Sequence, residues 1–381
     1  MPTGMATAYD LTVGVIVNMD EAIYMLSPQD TPLLTGVGAD GLILLSSSPV
    51  DEIQFDWMHD AILTPRSTLG ALITGGQDYL TVASGERLRF STGDVITINV
   101  AGNTSETIRI TGYGTTTDSL SVTRAYAGTA MTYATSAIIV GLGTALAEGS
   151  APETARTTDR TQVSNLTQIF GPTKVDMSRT EQQVAKYGVG NEFTHQLMAR
   201  MQENAISREQ ALVYGVKTQS TTTKIRTTAG IDSFISSNVT TATTLTPTTL
   251  SAVQTLAYNR GGFSDVLMGN PVVFSDMNSL ADTAIVRQTI DSPMRGRTRV
   301  AWVDTEFGSV LMVRNRWLLP TDAIGLNREQ VVRRVMQPLV FERLGKTGDS
   351  DQGFLVCEEG LEVKGEQHLF KFNSLGYTGS V

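Results

Sequence analysis

One long stretch with almost no helix breaker constrains this chain more than any other feature. It runs from Asn191 to Val216, and apolar side chains recur in it every three or four residues, with a gap at Arg208. The apolar positions are Phe193, Leu197, Met201, Ala205 and Leu212. This spacing predicts one amphipathic helix whose polar residues, Glu209 among them, lie on the other side. At about 1.5 Å per residue such a helix is roughly 40 Å long, which indicates a structural spine.

A second region consists of short β-rich runs separated by glycine, serine and asparagine turns. The runs predicted as strands are Tyr79–Ala83, Asp94–Val100, Glu106–Tyr113, Ser119–Arg124 and Ala137–Leu142. Within them charged and aliphatic residues alternate, which indicates one buried and one solvated face. The flanks are polar and rich in proline, threonine and serine. The sequence therefore predicts a small all-β module at about 73–145, inserted into a longer excursion of the chain over 49–165.

The remaining segments mix helices and strands, so the predicted fold class is α+β. The first 48 residues have the proline and glycine content of an extended arm, with a short helix at Asp20–Leu26. Asp176 or Ser178 is predicted to cap a short helix, and Thr246 a helix from Pro247 to Tyr258. Further predicted elements are the strands Asp265–Met268, Val300–Asp304, Ser309–Arg314, Gln330–Arg343, Gly353–Lys364 and Gln367–Phe372, and a helix from Ser275 to about Gln288. Pro338 is expected at a sheet edge or bulge.

Composition excludes several classes of function. Hydrophobic residues make up 41% and charged residues 18% of the chain, the balance of a folded globular protein. No run approaches the roughly 20 apolar residues that span a bilayer, and no secretory signal is expected at the N-terminus. Cys357 is the only cysteine, which rules out an intrachain disulfide. Residues 1–173 hold 7 arginines, no lysine and 17 acidic residues, which argues against a dedicated nucleic-acid-binding protein.

Catalytic and metal-binding motifs are weak. The three histidines, His59, His195 and His368, lie far apart in the sequence, and none is placed beside a nucleophile and an acid. Asp56 and Asp60 flank His59, but no second pair of ligands has metal spacing. Residues 36–41 match G-x-G-x-x-G, yet no helix follows to meet a pyrophosphate. No catalytic residue, cofactor site or metal site is predicted, and the protein is not expected to be an enzyme.

Four short motifs occur along the chain in an informative order. They are Ser27–Leu34 (SPQDTPLL), Glu148–Ser150 (EGS), Val303–Gly308 (VDTEFG), and Leu344–Ser350 (LGKTGDS) followed by Phe354–Glu358 (FLVCE) and Leu361–Val363 (LEV). Together with an arm, a long loop, a spine helix, an α/β unit and long returning strands, they resemble the HK97-like fold of tailed-bacteriophage major capsid proteins. The LGKTGDS hairpin resembles one subfamily of these capsids. The resemblance covers most of the chain except 73–145.

The resemblance implies an organisation and a function. It implies an N-terminal arm (1–48), an extended loop with the inserted β module (49–165), a peripheral domain with the spine helix (166–225), an axial domain (226–325) and peripheral return strands (326–381). The expected function is a major capsid protein that self-assembles into hexamers and pentamers of an icosahedral head around double-stranded DNA. The expected location is the virion, after assembly in the host cytoplasm. Expected partners are copies of the chain, portal and scaffolding proteins, optionally decoration proteins, and DNA contacted weakly without sequence specificity; no membrane is expected.

Some residues are predicted to contact neighbouring subunits. The predicted set is Trp57, Arg66, Arg124, Arg295, Arg297 and Arg299. The arginines near residue 295 would meet acidic groups of a neighbour; the alternative is an ordinary solvated loop. Some capsids of this fold lock themselves with an isopeptide bond from an extended-loop lysine. Lys174 is the first lysine of this chain, so no such crosslink is expected here.

Three other functions compete with a phage capsid. An encapsulin-like compartment has the same fold and encloses enzymes; a cargo or genome assay discriminates it. A phage tail, receptor-binding or decoration protein would explain the β module but not the spine helix. A hydrolase is the third alternative, and it lacks a placed nucleophile and base.

Overall fold

In the computed structural model the described residues are 31–36, 44–60, 63–99, 106–149, 160–184, 190–274, 302–346 and 348–376. The chain divides into two compact units: Met58–Thr161, and the chain on either side of it, up to Trp57 and from Gln162 onward. The predicted helices Asp20–Leu26 and Ser275–Gln288 lie outside the described residues, as do Arg295, Arg297 and Arg299. Within the described ranges no helix has the length and apolarity needed to cross a membrane.

The described residues contain few helices, and three of these begin at a capping side chain. The helices are α1 (Pro32–Thr35), α2 (Arg179–Gln183), α3 (Glu192–Tyr214), α4 (Ile231–Phe234) and α5 (Pro247–Asn259), of which α2, α3 and α5 have the capping side chain. Ser178 caps α2 by accepting a hydrogen bond from the Glu181 amide, as one of the two predicted alternatives required. Thr246 caps α5 in a reciprocal capping box with Thr249. Both cap predictions come from local spacing, which is why they succeed.

The strands of the larger unit form two principal sheets. The first is four-stranded, in the order β1 (Ser46–Pro49), β18 (Val331–Arg343), β19 (Ser350–Val363) and β10 (Gln168–Ser178). The second is six-stranded, in the order β13 (Val239–Thr241), β20 (Phe370–Asn373), β17 (Ala323–Leu326), β14 (Val266–Gly269), β16 (Gly308–Arg314) and β15 (Trp302–Thr305). A small ladder joins β11 (Thr218–Gln219) and β12 (Arg226–Thr227). The predicted long hairpin is β18–β19, and Pro338 lies where its register shifts, as expected for a bulge.

The predicted spine is confirmed as α3, which begins after its N-cap Asn191 and packs against β10 and β19. The predicted apolar stripe is wrong in the middle of the helix. Met201 is 42% exposed, whereas Arg208 at the gap is 9% exposed and Glu209 is fully buried. Polar side chains take these buried positions because each finds a charged or hydrogen-bonding partner on another element.

The smaller unit is the predicted all-β module. Its six strands are ordered β3 (Arg66–Thr68), β8 (Ile138–Thr144), β5 (Asp94–Asn99), β6 (Glu106–Tyr113), β7 (Ser119–Ala127) and β4 (Tyr79–Thr81). All five predicted strands are present, with ends moved by a few residues, and β3 was missed because three residues carry no periodic signal. The aliphatic faces of the strands share one core with Phe90 and Tyr133.

The two edge strands of this module meet each other. Leu69, just after β3, and Val82, just after β4, form an antiparallel bridge. The Gly70 amide donates to the Thr81 carbonyl at 2.8 Å, and the Ala83 amide donates to the Thr68 carbonyl at 2.9 Å. The sheet therefore closes on itself, which removes the unpaired edges that an open sheet would present.

The chain leaves the larger unit through β2 (Gln54–Asp60) and returns through β9 (Arg160–Leu166). These two strands pair in a two-stranded sheet of their own. Exposed polar groups also link them: the Gln162 amide donates to Asp56 at 2.7 Å, and Arg160 lies 3.5 Å from Asp60. The outgoing and returning segments are therefore held side by side.

Candidate functional site

Three buried glutamates of β19 bind arginines on other elements and so connect several parts of the larger unit. Arg208 of the spine helix binds Glu359 through two parallel hydrogen bonds, of 2.8 and 2.7 Å. Arg333 of the neighbouring strand approaches the same carboxylate at 3.8 Å. Burial works to lower the pKa of Arg208, but the hydrogen bond and the charge of Glu359 outweigh it and raise that pKa. The two parallel hydrogen bonds of this pair fix the spine to the sheet.

The other two buried glutamates of β19 bind arginines on different elements. Glu358 accepts hydrogen bonds from Arg226 of β12 and from the Thr167 hydroxyl. Glu362 pairs with Arg334 of β18, which also donates to the Ser48 hydroxyl of β1 at 2.8 Å. One strand thus connects the spine, the β11–β12 ladder and the first strand after the arm. Breaking the pair at Glu358 or Glu362 would leave a buried carboxylate without its counter-charge, and breaking the Arg208 pair would leave Glu359 only the more distant Arg333.

Glu209, next to Arg208 on the spine helix, binds the arm. Its two carboxylate oxygens accept hydrogen bonds from the Leu33 and Leu34 amides, at 2.8 and 2.9 Å. The Asn315 side-chain amide donates to it at 2.7 Å. Burial raises the pKa of Glu209 to about 7, although all three hydrogen bonds act to lower it. The carboxyl group therefore changes protonation near neutral pH while it holds the arm.

A separate buried ion pair stabilises the β module. Glu106 is fully buried and accepts two hydrogen bonds from Arg124, at 2.7 and 2.6 Å, and one each from the Ala125 and Met131 amides. Burial works to raise the pKa of Glu106, but these bonds and the arginine charge lower it overall. Arg124 also donates to the carbonyls of Thr74 and Met131. Arg124 thus ties the end of β7 to two neighbouring loop segments of the module.

The predicted intersubunit residues fall in different settings. Trp57 of β2 is half-buried, with its ring 6.0 Å from Phe55 and 5.9 Å from Phe234. Arg66 of β3 is exposed. The Arg124 side chain is 7% exposed and bound inside the module, so its geometry favours an internal role. The intersubunit roles of Trp57 and Arg66 stay predictions, and the three arginines at 295–299 lie outside the described ranges.

The histidines and the metal-like motif do not converge. His59 lies on β2, His195 on α3, and His368 in the 3-10 turn Glu366–His368, where its Nδ1 accepts from the Phe263 amide at 3.1 Å. In the part of the chain that is described, no three metal-ligating side chains cluster. Asp56 accepts hydrogen bonds from Gln54 and Gln162. Of the G-x-G-x-x-G match, Gly36 is the residue after α1, and 37–41 lie outside the described ranges.

The tip of the β18–β19 hairpin carries exposed charge. Arg179 at the start of α2 bridges Asp349 at 3.0 Å, and its amide donates to the Asp349 carbonyl at 3.1 Å. Lys346 bridges Asp351 at 3.1 Å. These side chains are mostly solvated, so each bridge contributes about 0–1 kcal/mol. These bridges therefore add little to the stability of the subunit.

Sequence reasoning missed the functional side chains of the spine. Arg208 was noticed only as a gap, and Glu209 was assigned to the solvated side. A signal was available: Glu358, Glu359 and Glu362 interrupt the mainly apolar second half of β19, and buried acids are usually paired with basic residues. The sequence does not reveal which of the 29 basic residues those partners are.

A spine helix laid on a long hairpin sheet, a second six-stranded sheet and an excursion bounded by paired strands define an HK97-like capsid fold. The chain belongs to the SU10 major capsid protein family, whose model matches residues 1–376. The predicted fold and the predicted function as a phage major capsid protein are confirmed. As a component of a phage capsid the protein is located in the virion, and it assembles into oligomeric shells.

Several solved structures resemble this chain at low sequence identity. A chain of Microbacterium phage Oxtober96 is 9% identical with a TM-score of 0.50, over 96% of this chain and 98% of that one. The capsid of Myoviridae phage XM1 is 10% identical with a TM-score of 0.48, over 98% and 100%. The SrpI encapsulin of Synechococcus elongatus PCC 7942 is 10% identical with a TM-score of 0.38, over 60% and 80%. No curated protein matches the chain.

Proposed function

We propose that this chain forms hexameric and pentameric capsomers that close into an icosahedral head around double-stranded DNA, and that it has no catalytic activity of its own. The observation that carries the proposal is the family match over residues 1–376. The buried ion pairs of β19 support it, because they brace the spine against the sheet. Separate charged side chains at the hairpin tip are exposed. An encapsulin-like shell is less well supported, since the family match is to phage capsid proteins.

The proposed partners follow from enclosing a genome. They are a portal, a scaffolding protein, in some assemblies a decoration protein, and packaged DNA held without sequence preference, with assembly in the host cytoplasm. The charge of residues 1–173, with 7 arginines and 17 acidic residues, supports weak DNA contact. Tight binding would require many lysines and arginines facing phosphates.

Electron microscopy of the expressed full-length chain tests the proposal. Closed shells, or hexameric and pentameric rings that close when a scaffolding protein is added, are expected. A homogeneous monomer or an open fibre under the same conditions would contradict it. Nucleic-acid extraction from the shells then separates a genome container from an enzyme compartment.

Reversing the charge at positions 295 and 297 tests the proposed capsomer contact. The double substitution Arg295→Glu and Arg297→Glu is expected to lower particle yield, because each introduced glutamate would repel the acidic group that the arginine is proposed to meet on a neighbour. Lys224→Glu, at an exposed turn residue, is the matched control. Normal yield and stability of the doubly substituted particles would count against the contact.

The β module has two candidate roles, an outward decoration or a clamp on the adjacent capsomer. Its closed sheet supports contact through side chains and not through strand addition, since both edge strands are paired with each other. Replacing residues 66–144 by a short glycine-serine linker discriminates the two roles. Intact, stable shells favour decoration, whereas shells that form and then fall apart favour the clamp.

A further inference from the structure

One buried glutamate among the described residues differs from the others in the kind of partner that it binds. Glu106, Glu358, Glu359 and Glu362 each pair with an arginine. Glu209 is fully buried as well, yet within the described residues it has no arginine or lysine at salt-bridge distance. Its partners are three neutral N–H donors. An ionised carboxylate in that setting loses hydration without gaining a counter-charge.

Two of the three donors belong to the arm. The Leu33 and Leu34 amides lie in the first turn of α1, whose N-cap residue Thr31 makes no side-chain capping bond. The carboxylate of Glu209 caps this turn from a position 176 residues away in the sequence. The Leu33 side chain packs in the same core as Leu212 of the spine. The arm is therefore held against the spine by a shared apolar core, to which Leu44 and Leu45 also belong, and by one carboxyl group.

The other charged groups nearby are engaged elsewhere or do not act on this carboxyl. Arg208 points to Glu359, and the Tyr214 hydroxyl bonds to Asp322. Arg314, the last residue of β16, and Arg316 flank Asn315 in the sequence. The causes of the raised pKa of Glu209 are burial, which raises it, and the three hydrogen bonds, which lower it. Protonation is thus set by how well the arm and the Asn315 loop exclude water.

We propose that Glu209 is a proton-linked latch that holds arm residues 31–36 on the spine helix in acidic solution and releases them as the pH rises to neutral. Releasing the arm replaces its two amides by water, which returns the carboxyl to an ordinary, ionised state. Docking therefore takes up a proton, and rising pH favours release. The proposal rests on the proposed function in one respect: a released arm is free to lie over a neighbouring subunit.

Hydrogen–deuterium exchange of the purified full-length chain tests the latch. The readout is the protection of the Leu33 and Leu34 amides, expressed relative to an unprotected peptide at the same pH. With the carboxyl titrating near pH 7 in the docked state and near 4.5 in the released state, linkage predicts about a tenfold fall in protection between pH 6 and pH 9. Glu209→Gln cannot ionise and is expected to show protection that changes less than about twofold.

Glu203→Gln is the matched control, because it removes the same charge from an exposed site on the same helix. It is expected to keep the tenfold pH dependence. Protection of the wild-type arm that stays flat from pH 6 to 9 overturns the latch, whether or not Glu209→Gln folds. A Glu209→Gln arm with the wild-type pH dependence overturns it too. Electron microscopy of the same samples reports assembly separately: absence of shells or rings at every pH contradicts the proposed function, not the latch.

Discussion

Removing Arg208 should destabilise the larger unit more than removing any exposed arginine of the same helix. In Arg208→Met the side chain keeps most of its bulk, but Glu359, which is 1% exposed, loses two hydrogen bonds of 2.8 and 2.7 Å. Only Arg333 remains near it, at 3.8 Å. Removing one partner of a buried pair costs about 3–5 kcal/mol. The expected result is a loss of that size in the free energy of unfolding.

Urea denaturation of unassembled subunits, followed by tryptophan fluorescence, measures this loss. Arg200→Met is the matched control, because Arg200 bridges Glu203 on the solvated side of α3 and should cost about 0–1 kcal/mol. The double variant Arg208→Met with Glu359→Leu should recover most of the stability, since it removes the stranded charge together with its partner. A single variant no less stable than Arg200→Met, or a double variant less stable than the single one, would refute the reasoning.

Three further predictions concern other parts of the chain. Arg124→Met strands the buried Glu106 and should destabilise the β module by about 3–5 kcal/mol, measured as faster amide exchange across residues 106–131. Mature particles boiled in denaturant should run as a single monomer band, because the chain has no lysine before residue 174; a ladder of covalent multimers would contradict this. Gly262→Ala would place a Cβ 1.7 Å from a backbone carbonyl oxygen and should lower the unfolding midpoint, whereas Gly345→Ala meets nothing within 4 Å and should not.

Elements specified by neighbouring residues could be predicted from the sequence. The spine helix, the caps at Ser178 and Thr246, the β18–β19 hairpin and five module strands all follow from spacing within one segment. The predicted pair Val300–Asp304 and Ser309–Arg314 is present as the antiparallel β15–β16 hairpin for the same reason. Such patterns reflect periodicity and turn chemistry, which act over a few residues.

Features that depend on distant partners could not be predicted. Arg208 and Glu359 are 151 residues apart, and Leu33 and Glu209 are 176 apart. A polar residue on a helix is normally solvated, so the spacing of residues in the sequence predicts Glu209 on the solvated face and Met201 in the core. The structure reverses both assignments, because the desolvation of a carboxyl group is offset wherever enough N–H groups converge on it.

Because β2 pairs with β9, the roughly one hundred residues between them form an insertion whose two ends lie side by side. The connectivity of the rest of the chain does not depend on the structure of this insertion. A different compact domain could be grafted there, provided that its two termini lie close together. The inserted module can therefore vary between related chains while the fold of the larger unit stays the same.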